Sequence, residues 1–337
     1  MWVSEVWPRL IEQGRVEAVA CVDINTETFG LAKDNLNLSK SQCYTDIQQA
    51  FRDHRDADFV VMVVPPAAHE AVVDVSLEYD MHILSEKPIA DTMEACSRIY
   101  NKVMAADKKM AVTMSHRFDQ DKQTLEREIK SGRYGPLHYI VGRNTWNCRK
   151  YPAWSAFRYK IRDPLLVEAT VHHFDIIRAL AGANAKTVYA VTWNPPWGDF
   201  AGDPCGLITI EMENGVRAIY EGCKVSATTL NNWCHDYFRA ECELATLELN
   251  KRQLNIMSEI TGEYVDIEKP LARQPIWKNE WLAELFIDWL ENGTEPPNSL
   301  RDNIHCAALV FAAVRSAHTH KPVEVNEFLQ EHLQAAD

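Results

Sequence analysis

The chain has no apolar run long enough to cross a membrane as a helix, and no basic segment followed by an apolar one near its start. The sequence therefore predicts neither a membrane span nor a secretory signal. It also lacks a basic excess: 35 Lys and Arg stand against 48 Asp and Glu, a net charge of −13. Binding nucleic acid requires a basic face that displaces counterions from phosphates, so nucleic acid is excluded as the main partner. Cysteines are present (positions 21, 43, 96, 148, 205, 223, 234, 242 and 306), but their number is odd and no C-x-x-C occurs. Cys234-His235 and His305-Cys306 are adjacent pairs without the ligand spacing of a zinc site. These absences predict reduced thiols, no bound metal and a cytoplasmic location.

The composition, 46% hydrophobic and 25% charged over 337 residues, is that of a soluble chain long enough for two cored domains. The first third alternates strand-like and helix-like stretches. Residues 16–23 (VEAVACVD) read as a buried strand ending in an acid, and residues 59–64 (FVVMVV) as the continuous apolar strand of a parallel sheet. Residues 81–84 and 110–114 are further strands, with helices predicted over 26–35, 45–52, 68–79 and 91–106. This alternation predicts a Rossmann-like doubly wound parallel sheet over residues 1–117. Beyond it, strands follow one another (137–143, 186–193, 206–212, 216–223, 237–242 and 245–249), with a hairpin turn at Asn214-Gly215. Residues 118–337 are therefore read as an α+β domain with a large, mostly antiparallel open sheet. Two closing helices, 277–291 and 300–318, are candidates to pack back on the first domain.

Two motifs carry the chemistry. Glu86-Lys87-Pro88 follows a predicted strand, and ligands of open α/β sheets bind at the carboxyl ends of strands. A lysine there is poorly placed for packing and well placed for catalysis. The second motif lies in a helix predicted from Asp163-Pro164, with Asp163 as cap, to Gly182. That helix is apolar nearly all round, yet Glu168, His172 and Asp175 share one face. Burying two carboxylates and an imidazole is costly unless they are paired. The stripe is thus either a satisfied polar network or a row of acid–base groups, histidine being the natural base near neutral pH.

Together, S-E-K-P after a strand and Glu168-x-x-x-His172-x-x-Asp175 resemble the glucose–fructose oxidoreductase / inositol dehydrogenase / MocA family. Val64-Pro65-Pro66-Ala67-Ala68-His69 is similar to that family's strand end over the cofactor. Ser115-His116-Arg117-Phe118 and Gly132-Arg133-Tyr134-Gly135 are similar to its crossing between domains. The resemblance implies an NAD(P)-dependent dehydrogenase acting on sugars, cyclitols or related polyols. It implies Lys87 and His172 as catalytic groups, with Glu168, where the family most often has aspartate, orienting the histidine. Asp175 matches an acid often turned toward substrate; a cap or an ion pair is the competing reading. Pro65, His69, Glu86 and Lys87 are expected at the cofactor. A homo-oligomer, dimer or tetramer, is implied as well.

Asp23 stands where an acid bonds the ribose hydroxyls and repels a 2′-phosphate, and no basic residue follows at Ile24, Asn25 or Thr26. NAD is expected over NADP, although an acid at a strand end also serves as a cap. The chain departs from the pattern at its start, which reads as the helix after the family's first strand and glycine-rich phosphate loop. One expectation is that Met1 is an internal methionine of a longer chain; the other is a short form that binds a dinucleotide poorly. Without that strand, residues 60–64 lack a neighbour. Residues 144–162 are dense in aromatics and arginines, and Trp146, Tyr151, Trp154 and Arg158 are candidates to hold a sugar ring. Asn231-Asn232-Trp233 and His235 form a weaker cluster. Two alternative functions share these residues: an NAD-assisted lyase or glycosidase, and a non-enzymatic sugar-binding protein.

Overall fold

The computed structural model describes residues 1–150 and 158–336, which leaves Tyr151 and Trp154 outside the described residues. The chain forms two compact units, one of residues 1–115 and 276–303, the other of residues 116–275 and 304–335. In chain order the first unit contains a π-helical turn (Trp2–Val6), α1 (Trp7–Glu12), β1 (Cys21–Val22), α2 (Phe29–Leu36), β2 (Cys43–Tyr44), α3 (Ile47–Asp53), β3 (Phe59–Met62), α4 (His69–Glu78), β4 (His82–Ser85), α5 (Met93–Ala105) and β5 (Met110–Val112). The second contains α6 (Gln120–Lys130), β6 (Leu137–Thr145), a π-helical segment (Pro164–Thr170), α7 (Val171–Ala181), β7 (Ala185–Trp193), β8 (Cys205–Met212), β9 (Arg217–Cys223), β10 (Tyr237–Cys242), β11 (Thr246–Asn250), β12 (Gln253–Ser258) and β13 (Val265–Lys269). α8 (Lys278–Asn292) belongs to the first unit, and α9 (Leu300–Thr319), β14 (Val323–Glu324) and α10 (Val325–Ala335) close the chain. Sequence reading missed β12, β13, β14 and α10, because those strands are short or polar and the last helix follows directly on a strand.

The parallel sheet of the first unit is split. β3, β4 and β5 pair in parallel, and β1 and β2 form a separate parallel pair. β5 is buried throughout, whereas of β3 only Met62 is fully buried. The strand expected over residues 16–23 shrinks to Cys21–Val22, since a strand persists only where a neighbour takes its backbone groups. The compensation comes from packing on the faces. Trp2, Val6, Trp7 and Leu10 form one cluster with Leu84, Ala283, Phe286 and Ile287, so α8 covers the strands from the far end of the sequence. Phe59 meets the Phe286 ring edge-on at 5.4 Å. Arg9 adds an ion pair to Glu284 at 2.7 Å.

The second unit is built on a nine-stranded sheet of order β13-β12-β11-β10-β6-β9-β8-β7-β14, antiparallel except for β6 beside β9. One face carries the buried residues Ile208, Ile210, Ala218 and Tyr220. The register sets Gly206 directly opposite Gly222, and together they make a socket for Leu165 of the π-helical segment. A Cβ on Gly206 would lie 2.8 Å from a Leu165 methyl, and one on Gly222 2.7 Å from the other.

In β3, the carbonyls of Asp58 and Met62 accept from His82 and Glu86, so residues 58, 60 and 62 face β4 and residues 59 and 61 face the split. The amides of Phe59 and Val61 are therefore expected to exchange with deuterium at least ~10-fold faster than those of Val60 and Met62, measured residue by residue by NMR. Equal protection across the four would show that the split is closed in solution.

Candidate active site

In the first unit, Lys87 stands just beyond β4, half-buried, as the motif predicts. Its backbone is fixed by Glu86, whose carboxylate accepts from the Lys87 N–H at 3.2 Å and from the Trp2 indole N–H at 2.6 Å. Both Glu86 oxygens are thus occupied in bracing the loop. The His69 ring is fully buried, with Nε2 2.9 Å from the Val64 carbonyl and Nδ1 3.1 Å from the Ile89 carbonyl. It packs between the end of the β3 loop and the segment after Pro88. Pro65 is exposed and opens the short 3₁₀ turn Pro66–Ala68.

Asp23 follows β1, as expected, and its carboxylate caps the next turn: Oδ1 accepts from Asn25 N–H at 2.8 Å and Oδ2 from the Thr28 hydroxyl at 3.0 Å. The residues around the strand ends fit part of a dinucleotide. Ile24, Val63 and Val64 are apolar and solvent-exposed, suited to ring faces, and Asp23 carries an acid just beyond β1. The glycines of residues 1–115 are Gly14 and Gly30, and a Cβ at either would meet no neighbour.

In the second unit, the helix expected from Asp163 to Gly182 divides into a π segment, Pro164–Thr170, and α7. Gly182 ends it with φ +66°, as the sequence predicts. Asp163 does not cap it: its carboxylate accepts from His318 Nε2 at 2.7 Å, which leaves the π segment without a side-chain cap. Wider π winding re-aims Glu168 relative to His172, and such segments are frequent at functional sites. The Glu168 carboxylate lies 2.8 Å from Arg158 Nε and 2.6 Å from the Nζ of Lys224, a residue that is 3% exposed. Arg158 is thereby attached to the polar helix rather than to solvent. Asp175 is buried with Arg117 at 3.7 Å and Arg178 at 3.8 Å, the ion-pair reading. Trp146 is half-buried at the end of β6, and its indole N–H is buried with no partner among the described residues.

His172 is buried against two rings that the motif did not point to. Trp233 meets it edge-on at 4.4 Å, and the other face of the arrangement is His116, stacked on Trp233 at 4.1 Å. His116 is anchored by Asp236. That carboxylate is wholly buried, and Oδ2 accepts from His116 Nε2 at 2.7 Å and pairs with Lys122 Nζ at 2.9 Å. Oδ1 accepts from His173 Nε2 at 3.0 Å and from Asn144 Nδ2 at 3.3 Å. All four acceptor positions of the carboxylate are filled. His173 Nδ1 lies 3.2 Å from the Tyr220 hydroxyl and 3.4 Å from the Ala169 carbonyl.

Burial alone would raise Asp236, but His116, Lys122 and the hydrogen bond from His173 hold it well below the ordinary carboxylate range. Burial pushes His116 down to about 4 against the pull of Asp236. Lys122 stays charged because Asp236, Asp121 and Asp119 outweigh its desolvation. His116, His173 and Asp236 present ligand atoms close enough for a metal, but Lys122 Nζ already occupies the cation position at Oδ2. Sequence reading missed Lys122, Lys224, His173 and Asp236. Apart from the doubled histidine at 172–173, nothing local marks them, since their partners lie up to 120 residues away.

One unit with a parallel sheet and a lysine at a strand end, and a second with an open antiparallel sheet bearing a polar buried helix, make up an α/β fold of two units. Family descriptions agree: "Oxidoreductase family, NAD-binding Rossmann fold" matches residues 4–115 and "Oxidoreductase family, C-terminal alpha/beta domain" matches residues 126–325. The chain belongs to the glucose–fructose oxidoreductase / inositol dehydrogenase / MocA family. It is 39% identical to the uncharacterized protein y4oX of Sinorhizobium fredii, across 98% of this chain and 93% of that protein. It is 31% identical to inositol 2-dehydrogenase of Corynebacterium glutamicum, over 53% of this chain and 52% of that enzyme. Among solved structures, aldose-aldose oxidoreductase from Caulobacter crescentus, complexed with glycerol, shares the fold with a TM-score of 0.79 at 17% identity, covering 95% of each chain. An oxidoreductase from Agrobacterium radiobacter, in complex with NAD+, L-tartaric acid and magnesium, does so with a TM-score of 0.78 at 19% identity, over 92% of this chain and 91% of that one.

The depressed His116 value gives a pH dependence of known sign. Between about 6.5 and about 4 the unfolded chain holds a proton at this site that the folded one does not, so stability falls as pH is lowered through that window. The wild-type chain is expected to lose up to about 1.4 kcal/mol more per pH unit than a His116→Gln variant, read from urea unfolding between pH 7 and pH 4.5. Parallel pH profiles would refute a buried neutral imidazole.

Proposed function

We propose that this protein is an NAD-dependent dehydrogenase that oxidises a hydroxyl of a sugar, cyclitol or related polyol. Family membership carries the oxidoreductase class, and the half-buried Lys87 beyond β4 is the observation that carries the site. Its loop is braced from both sides, by Glu86 and by His69, as a group held for chemistry requires. In this reading His172 takes the hydroxyl proton, Lys87 stabilises the alkoxide, and Asp23 selects the ribose of NAD over that of NADP. NAD, when bound, accepts the hydride. Glu168 acts by holding Arg158 and Lys224 for substrate oxygens as much as by orienting His172. Trp146 and Asp175 are substrate-side candidates.

A homo-oligomer is part of the same proposal. Tyr189, Val191, Trp193, Leu207 and Ile219 are 37–51% exposed on neighbouring strands of one sheet face, an apolar row of the kind that pairs with a second copy. A second reading is a sugar-binding protein without redox activity. An NAD-assisted lyase would use the same residues as the dehydrogenase.

The test is a panel of polyols and sugars with NAD, followed at the nicotinamide absorbance band. Lys87→Ala is expected to lower turnover by at least ~10²-fold with an unchanged circular-dichroism melt. Full activity in that variant would remove Lys87 from the mechanism. Calorimetry showing no NAD binding to this chain would favour the sugar-binding reading, and turnover without NADH accumulation the lyase.

A further inference from the structure

The pairing of β8 and β9 places two thiols where they can react with one another. Cys205 stands directly opposite Cys223, and the adjacent pair is joined by a hydrogen bond from Lys224 N–H to the Pro204 carbonyl at 2.9 Å. In an antiparallel ladder the hydrogen-bonded and non-hydrogen-bonded positions alternate, so Cys205 and Cys223 form a non-hydrogen-bonded pair. At such positions the Cα atoms lie about 4.5 Å apart and the side chains are closest, which is within the span a disulfide bridges. The sulfurs are 3.2 Å apart. Their surroundings differ: Cys205 is 2% exposed, packed with Phe200 and Val225, whereas Cys223 is half-buried.

We propose that Cys205 and Cys223 form an oxidation site, a dithiol that closes to a cross-strand disulfide on meeting a peroxide, with Cys223 as the attacking sulfur and Cys205 as the resolving one. The Cys205 S–H hydrogen bond lowers the pKa of Cys223 and raises that of Cys205, which supports the same assignment of roles. The Cys223 thiolate attacks one peroxide oxygen. The O–O bond breaks, the departing hydroxide takes up a proton to become water, and Cys223 is left as a sulfenic acid. The Cys205 sulfur then displaces that hydroxyl. The S–S bond forms, the S–O bond breaks, and the hydroxyl leaves with the Cys205 proton as a second water. Two thiols are oxidised and one peroxide is reduced to two waters. The bond would join β8 to β9 one residue before Lys224, the partner of Glu168.

The test uses the full chain, reduced, freed of reductant, and treated with hydrogen peroxide. Remaining thiols are alkylated under denaturing conditions and the digest is read by mass spectrometry. The expected result is loss of two of the nine alkylatable thiols and a linked peptide joining Cys205 to Cys223, lighter by two hydrogens than the separate peptides. In Cys205→Ser, Cys223 is expected to stop at the sulfenic acid and be captured by a cyclic 1,3-diketone; in Cys223→Ser, Cys205 is expected to remain alkylatable. Recovery of both cysteines in alkylated form from the wild type would overturn the proposal, as would a bridge from Cys223 to Cys148 instead.

Discussion

The second unit depends on one buried carboxylate. Asp236 precedes β10, and its four acceptor positions draw in Lys122 from α6, Asn144 from β6, His173 from α7 and His116 from the segment before α6. A lone buried carboxylate would cost several kcal/mol in desolvation, and removing a partner from a buried pair costs about 3–5 kcal/mol. Each donor therefore has to arrive, and each arrives on a different element. The charge acts less as a source of stability than as a condition on the arrangement, because a packing that misplaces any one donor leaves a polar group stranded. His172 packs against this arrangement through His116 and Trp233.

The first unit is governed by the opposite circumstance, backbone groups without partners. Its parallel sheet is divided between β1 and β3, and the strands on either side of the division are short or only half-buried. What holds the halves to a common layer is aromatic packing from outside the sheet: Trp2 and Trp7 on one side of the sequence, Phe286 on the other. Lys87 lies on the intact three-stranded part, where its loop is positioned by β4, His69 and Glu86, the last held in turn by Trp2.

The sequence made the continuous apolar strand at β3, the hairpin at Asn214-Gly215, the Gly182 stop and the Lys87 strand end legible, because each is a local signal. It failed where the determining partner is distant. Asp163 reads as a cap and is instead taken by His318. Lys224 carries no local mark of burial, yet Glu168 depends on it. The π winding was illegible because the residues from 164 to 170 have an ordinary helical pattern.

The seat of Leu165 has a consequence for how such a protein diversifies. Gly206 and Gly222 leave the clearance that the two Leu165 methyls fill, in the sheet that seats the turn carrying Glu168. A methyl added at either would press on Leu165, three residues before that carboxylate, so the leucine side chain or its turn must shift. Changes in what such a protein accepts can thus originate beneath the chemistry, in the clearance between a leucine and a bare stretch of backbone.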